Sequence, residues 1–300
     1  MDSHSRKVFI TGITGLTGLY LSKYFTSKGY AVYGLSNATR SESKESTIFK
    51  CDLADTEKLM LIIQTVQPEI IIHLAAISFV GHKKTSDFYD VNVIGTQNLL
   101  EAIKLYGAKN LKKIILASSA TIYGNQKTSN LSEKLIPNPV NHYGISKLAM
   151  EHVAKTYFNV LPIIVVRPFN YTAPEQNINF VIPKIAHSFI NRSNNLELGN
   201  IDVLREYNSI HFICDCYYKL AISTVKSEIV NLCTGKTYSL KKVIQVFSKL
   251  TNYKPTITIN AAFIRKNEIN KLCGNPKKLN SLINLETNYS LENLIKEFIT

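Results

Sequence analysis

The run Thr11-Gly12-Ile13-Thr14-Gly15-Leu16-Thr17-Gly18 constrains this chain more than any other segment. It follows the strand-like stretch Lys7–Ile10 and leads into an apolar pattern through Leu21 and Phe25 at helical spacing, so it joins a strand to a helix N-terminus. Glycine is needed where such a turn bends, where backbone amides approach a pyrophosphate and where the helix packs on the strand. The free amides and the helix dipole then favour an anion, which makes Gly12, Thr14, Gly15, Leu16, Thr17 and Gly18 candidate dinucleotide contacts.

The rest of the first half repeats that strand-to-helix rhythm. Strand-like runs occur at 7–11, 30–35, 47–51, 70–74, 113–117 and 162–167, with helical patterns at 16–28, 56–66, 91–106 and 143–157. In the third of these helices Val91, Ile94, Asn98, Glu101 and Leu105 recur at helical spacing, and Gly107 stands at its end. Alternation of this kind predicts an α/β fold, a doubly wound parallel sheet of the Rossmann type. After Pro168 the rhythm becomes irregular, with Pro174, Pro183 and an Asn-rich stretch at 191–195. The expected division is a dinucleotide-binding domain over 1–168, to which 208–235 returns, and a smaller C-terminal α/β substrate lobe from 169–207 and 236–300. A ligand cleft is expected between them, at the carboxyl ends of the strands.

Three hundred residues, 45% of them hydrophobic, suffice for a substantial core. The apolar runs are far shorter than the roughly 20 residues that cross a bilayer, so no membrane partner is expected. Met1 to Lys7 is polar and lacks a signal-peptide pattern, and the five cysteines lack paired metal spacing, which together predict a reduced, cytoplasmic protein. Cys214-Asp215-Cys216 reads as buried structural cysteine, not a metal hook, because residues two apart on a helix face different ways. The net charge of +13 asks for an anionic partner, but the lysines are scattered in pairs and tryptophan is absent, so nucleic acid is not expected.

Tyr143 and Lys147 lie four residues apart and share one face of a helix. An ammonium beside a phenol favours its phenolate, and such a tyrosine can exchange a proton with a carbonyl or alcohol oxygen. Ser118-Ser119 ends the strand 113–117, where a hydroxyl can reach the same cleft. Each feature alone is common in unrelated proteins. The order of glycine turn, strand-end serine, tyrosine and lysine is what carries specificity.

With those residues the chain resembles the extended short-chain dehydrogenase/reductase family over almost its whole length. Ser119-Ala120-Thr121-Ile122-Tyr123-Gly124 and Tyr143-Gly144-Ile145-Ser146-Lys147 are similar to the family's catalytic stretches. The resemblance implies that Tyr143 is the general acid/base, that Lys147 lowers its pKa and holds the nicotinamide ribose, and that Ser119 orients the substrate oxygen. It also implies adenine contacts at Asp52 and Leu53 and a loop beneath the cofactor at Leu74, Ala75 and Ala76. Arg167-Pro168-Phe169-Asn170, Leu198-Gly199-Asn200, Arg205-Glu206-Tyr207 and Arg265…Glu268…Gly274-Asn275-Pro276 resemble the branch that acts on GDP-mannose derivatives. This resemblance places Ser78, Thr121, Asn170, Lys184, Leu198, Gly199, Asn200, Arg205, Arg265 and Glu268 at a nucleotide-diphosphate sugar, with GDP as the expected nucleotide. It further implies a homodimer, paired through the helices 91–106 and 143–157. Asn208 and His211 depart from the branch, which commonly has an aspartate and an arginine there.

Dehydratases of this branch carry a glutamate two residues after the strand-end hydroxyl, and here that residue is Thr121, which cannot act as a base at neutral pH. The expected reaction is therefore NADPH-dependent reduction of the C4 ketone of a GDP-4-keto-6-deoxy-sugar. A nucleotide-sugar 4-epimerase or 4,6-dehydratase stays open beside it, and behind these a dinucleotide-binding regulator without turnover. NADPH is preferred to NADH because the second strand ends in Ser36 and Asn37 with Arg40 close behind, and no carboxylate awaits the adenosine ribose.

Overall fold

The computed structural model describes residues 6–37, 46–79, 81–107, 109–264, 270–285 and 289–300. Its first half builds β1 (Lys7–Thr11), α1 (Leu16–Ser27), β2 (Ala31–Ser36), β3 (Ser46–Lys50), α2 (Thr56–Val66) and β4 (Ile70–His73). There follow α3 (Ser86–Tyr89), a π-turn over Asp90–Ile94, α4 (Gly95–Tyr106), β5 (Lys113–Ala117), α5 (His142–Lys155) and β6 (Ile163–Pro168). Among the described residues, one parallel sheet runs in the order Glu228–Leu232, β6, β5, β4, β1, β2, β3.

Both faces of this sheet are covered, so the central strands are apolar throughout and do not alternate. Val8, Ile10, Val32, Ile70 and Ile72 face α1 and α7 (Ile210–Ile222), where Phe25, Ile213, Cys214, Cys216 and Tyr217 close the layer. Both thiols of Cys214-Asp215-Cys216 are thus core groups. Phe9, Leu35, Ile71, Ile114 and Leu116 face α2, α4 and α5, against Leu59, Leu99, Ile103 and Met150. A separate core gathers α6 (Val181–Ile190), α8 (Leu240–Thr251) and α9 (Leu291–Ile299) around Leu196, Leu198, Phe189 and Phe247. There the strand Asn195–Leu198 pairs in parallel with Thr256–Ile259.

Several boundaries differ from the sequence expectation. β2 and β3 are offset by one residue at each end, and α5 starts at His142 because Asn141 Oδ1 accepts the Gly144 N–H at 2.8 Å. The helix expected over 91–106 begins five residues earlier, at Ser86, and passes through the π-turn. Ile94 and Leu105 lie exposed on its outer face, while Leu99, Leu100 and Ile103 make its core contacts. Gly107 ends that helix with φ −61°, outside the left-handed region; glycine is required because a Cβ would approach the Ile103 carbonyl oxygen to 2.3 Å.

Candidate active site

The sheet reverses its winding between β1 and β4, and a cavity of about 880 Å³ opens there at the carboxyl ends of the strands. Gly12, Thr14, Gly15, Leu16, Thr17 and Gly18 form one wall. Gly12 has φ +68°, and a Cβ on it would stand 2.8 Å from the Ala75 nitrogen, so the turn and the loop after β4 touch backbone to backbone. Gly15 caps α1 without a side-chain hydrogen bond, and the first turn holds no acidic residue, which leaves this helix end suited to an anionic ligand.

Ser36 and Asn37 line the same cavity at the end of β2, with Ser36 Oγ hydrogen-bonded to Thr14 Oγ1 at 3.0 Å. Asp52 and Leu53 beyond β3, and Leu74, Ala75 and Ala76 beyond β4, complete the lining on this side. The turn chemistry and the uncapped helix end fit a nicotinamide dinucleotide. Arg40 lies outside the described residues.

Ser119, Thr121, Tyr143 and Lys147 meet on the opposite wall. Ser119 Oγ accepts from the Thr121 N–H at 3.2 Å and from Thr121 Oγ1 at 2.9 Å, and it hydrogen-bonds the Tyr143 phenol. With its lone pairs so occupied, the Ser119 hydrogen points toward the phenol oxygen. Burial pushes Tyr143 up to about 12, with Ser119 pulling the other way, so the resting phenol keeps its proton at neutral pH. Burial also pushes Lys147 down to about 8, opposed by the Glu151 carboxylate, and its Nζ donates to the Ala117 carbonyl at 2.7 Å.

Beneath this wall lies a network that no local sequence pattern announces. Thr96 Oγ1 gives its hydrogen to the Asn92 carbonyl at 2.8 Å, so it must accept from His73 Nε2, 2.9 Å away, and His73 Nδ1 then accepts from Thr11 Oγ1 at 2.7 Å. Burial, with the nearby Lys147, holds this imidazole down to about 3 and therefore neutral. The Asn92 side chain clamps both backbone groups of Ile77 and donates to Ser146 Oγ, which donates to the Tyr143 carbonyl. The π-turn that holds Asn92 thus ties the loop after β4 to the helix that carries Tyr143.

Tyr171 adds a wall residue absent from the sequence-based set: its phenol hydrogen-bonds Thr17 Oγ1 at 2.7 Å. The Tyr20 hydroxyl donates to Glu175 nearby. These contacts join positions more than 150 residues apart, beyond the reach of any local motif.

The expected sugar-nucleotide residues divide. Ser78 and Asn170 line the cavity together with Thr121. Lys184 and Leu198–Asn200 stand outside its lining, against the turn Ala261–Phe263: Lys184 Nζ lies 4.2 Å from the Phe263 ring centre, and a Cβ on Gly199 would meet the Phe263 carbonyl oxygen at 2.6 Å. The Leu198 side chain belongs to the separate core around Phe189 and Phe247. Arg205 sits in a short strand between Tyr238–Ser239 and Lys271–Leu272, beside the buried Glu206, whose carboxylate accepts the Gly274 and Thr234 N–H groups. Arg265 and Glu268 lie outside the described residues.

A family model described as GDP-mannose 4,6 dehydratase matches residues 9–298. The chain belongs to the GDP-mannose 4,6 dehydratase family. This places it in the nucleotide-sugar branch of the extended short-chain dehydrogenase/reductases that its motifs resemble. A GDP-6-deoxy-D-talose 4-dehydrogenase of Aggregatibacter actinomycetemcomitans is 36% identical over 274 residues, which cover 91% of this GDP-mannose 4,6 dehydratase-family chain and 90% of the relative. A GDP-6-deoxy-D-mannose reductase of Pseudomonas aeruginosa is 26% identical, covering 92% and 90%. A candidate epimerase of Burkholderia cenocepacia J2315 superimposes with a TM-score of 0.92 at 33% identity, over 98% of this chain and 97% of that one. RMD from Pseudomonas aeruginosa, solved with NADPH, shares the fold with a TM-score of 0.84 at 24% identity, over 98% of both chains. Among the described residues no helix is long and apolar enough to cross a membrane, and no acidic, histidine and cysteine group is arranged to hold a metal ion.

Proposed function

We propose that this protein is an NADPH-dependent enzyme that reduces the C4 ketone of a GDP-4-keto-6-deoxy-sugar, the reaction that a GDP-6-deoxy-sugar 4-dehydrogenase runs in reverse. The observation that carries this reading is Thr121, whose hydroxyl is bonded to Ser119 where a dehydratase needs a carboxylate base. Among the described residues, the two acidic ones that line the cavity are engaged elsewhere, Asp52 by the Ala54 N–H and Glu175 by Tyr20. The names of the Aggregatibacter and Pseudomonas relatives support the GDP-linked 6-deoxy-sugar.

The reduced nicotinamide supplies the hydride when bound in the groove. Ser119 then holds the ketone oxygen, and the Tyr143 phenol, protonated at rest, gives its proton to that oxygen as negative charge develops on it. The Lys147 ammonium stabilises the phenolate left behind until solvent restores the proton. Ser36, Asn37 and Arg40 are the proposed partners of the 2′-phosphate. Lys184, the Leu198–Asn200 turn, Arg205, Arg265 and Glu268 are proposed to take the GDP moiety, and the enzyme is proposed to work as a homodimer in the cytoplasm.

Incubation with NADPH and enzymatically generated GDP-4-keto-6-deoxy-mannose, followed by product NMR, tests this directly. A C4 alcohol formed with stoichiometric NADPH consumption is expected. The likeness to the Burkholderia candidate epimerase favours a second reading, a 4-epimerase that retains its cofactor. Conversion of a nucleotide sugar without net NADPH consumption would decide for it.

A further inference from the structure

The Lys147 amine is surrounded by groups from several elements. Its own helix brings Tyr143 one turn before and Glu151 one turn after, β5 brings the Ala117 carbonyl, and β4 brings His73. His73 is neutral, so Glu151 is the negative charge that favours the ammonium against burial. Arg167 on β6 reaches this group through Glu151.

Glu151 is fully buried and held from two strands. Arg167 Nε donates to its Oε1 at 2.9 Å and Nη2 to its Oε2 at 2.7 Å, a forked pair, while the Ser118 hydroxyl donates to Oε1 at 2.5 Å. Arg167 Nη1 continues to the Tyr123 hydroxyl at 2.9 Å, and Tyr123 donates to Asn231 Oδ1 at 2.7 Å. A buried ion pair contributes little net stability, because desolvation of both ions offsets their attraction, and well-packed apolar side chains would join the same strands and helix at no greater cost. The charge therefore needs another reason, and the neighbouring Lys147 provides one.

We propose that Glu151 is a positioning residue that keeps the Lys147 amine charged in the resting enzyme, its carboxylate fixed between α5 and the ends of β5 and β6 by Arg167 and Ser118. The inference rests on the reading of Tyr143 and Lys147 as the acid/base pair. Because Ser118 directly precedes Ser119, the same hydroxyl-to-carboxylate bond also sets the height of the strand end that presents Ser119.

The test is an NMR titration of the full-length protein labelled with 13C-lysine, following Cε of Lys147, assigned with Lys147→Met. The wild-type midpoint is expected near or above 8. Glu151→Gln, nearly isosteric, should lower it by about one pH unit or more. Glu151→Asp keeps the charge and should leave the midpoint close to wild type although the protein melts at lower temperature. An unchanged midpoint in Glu151→Gln overturns the proposal and leaves Glu151 a structural residue. A wild-type midpoint below about 7 overturns it even if Glu151→Gln does not fold. A shifted midpoint in Glu151→Gln with an unmoved alkaline limb of kcat supports the role of Glu151 and instead overturns the catalytic assignment of Lys147.

Discussion

Thr121 donates its hydroxyl hydrogen to Ser119 Oγ across 2.9 Å, so the side chain two positions beyond the strand-end serine orients that serine and has no proton-abstracting role. GDP-mannose offered to the purified protein should therefore yield no 4-keto-6-deoxy product by NMR, while the ketone itself is reduced with NADPH. Thr121→Ala should slow that reduction by about 5- to 10-fold, the loss of one orienting hydrogen bond of roughly 1 kcal/mol. Dehydration of GDP-mannose by the wild-type chain would reverse the assignment.

Tyr143→Phe removes the proposed proton donor and leaves the wall of the groove in place. Turnover should fall by about 10² or more. NADPH titration, read by fluorescence, should remain within a few-fold of wild type; most of the activity surviving would remove Tyr143 from its role.

Arg40→Ala addresses the coenzyme. Only NADPH carries the 2′-phosphate, so its dissociation constant should rise far more than that of NADH, and the ratio of kcat/KM for the two should shrink. Equal losses for both coenzymes would refute the phosphate contact.

Gly12→Ala puts a Cβ 2.8 Å from the Ala75 nitrogen at a backbone φ of +68°. The strain is about 1–3 kcal/mol, and the turn must draw away from the loop after β4 to relieve it. A lowered melting temperature together with weakened cofactor binding is expected. Normal binding at reduced stability would show that the close approach serves folding alone.

His73 gives the pH dependence a definite sign. Its folded-state pKa is lowered to about 3 from 6.5, so below pH 6.5 the unfolded chain binds the proton that the folded one refuses. Stability from this group is complete above pH 6.5 and is lost as pH falls, at up to about 1.4 kcal/mol per pH unit. Urea midpoints measured at pH 7, 5 and 4 should fall more steeply for wild type than for His73→Gln, which cannot titrate. Parallel slopes would place the acid sensitivity elsewhere.

What the sequence by itself determined are the features written in short stretches. The glycine turn and the spans of β1, β5 and α2 follow from spacing over fewer than about a dozen residues, where periodicity and turn chemistry act locally, and the order of Ser119, Tyr143 and Lys147 is read directly along the chain. The fold class follows with them, since a strand-to-helix alternation with apolar strands has few ways to cover both faces of a sheet.

Only the tertiary structure decided what surrounds those residues. The π-turn at Asp90–Ile94 has no sequence signature and shows itself through the bonds Asn92 makes with Ile77 and Ser146. Ser118 and Arg167 lie 33 and 16 residues from Glu151 along the chain and become one group with it because β5, β6 and α5 bring them together at hydrogen-bond distance. The protonation of His73, Tyr143 and Lys147 belongs to the same level, because it depends on how much water the packed elements exclude and on which charge the fold sets beside each group.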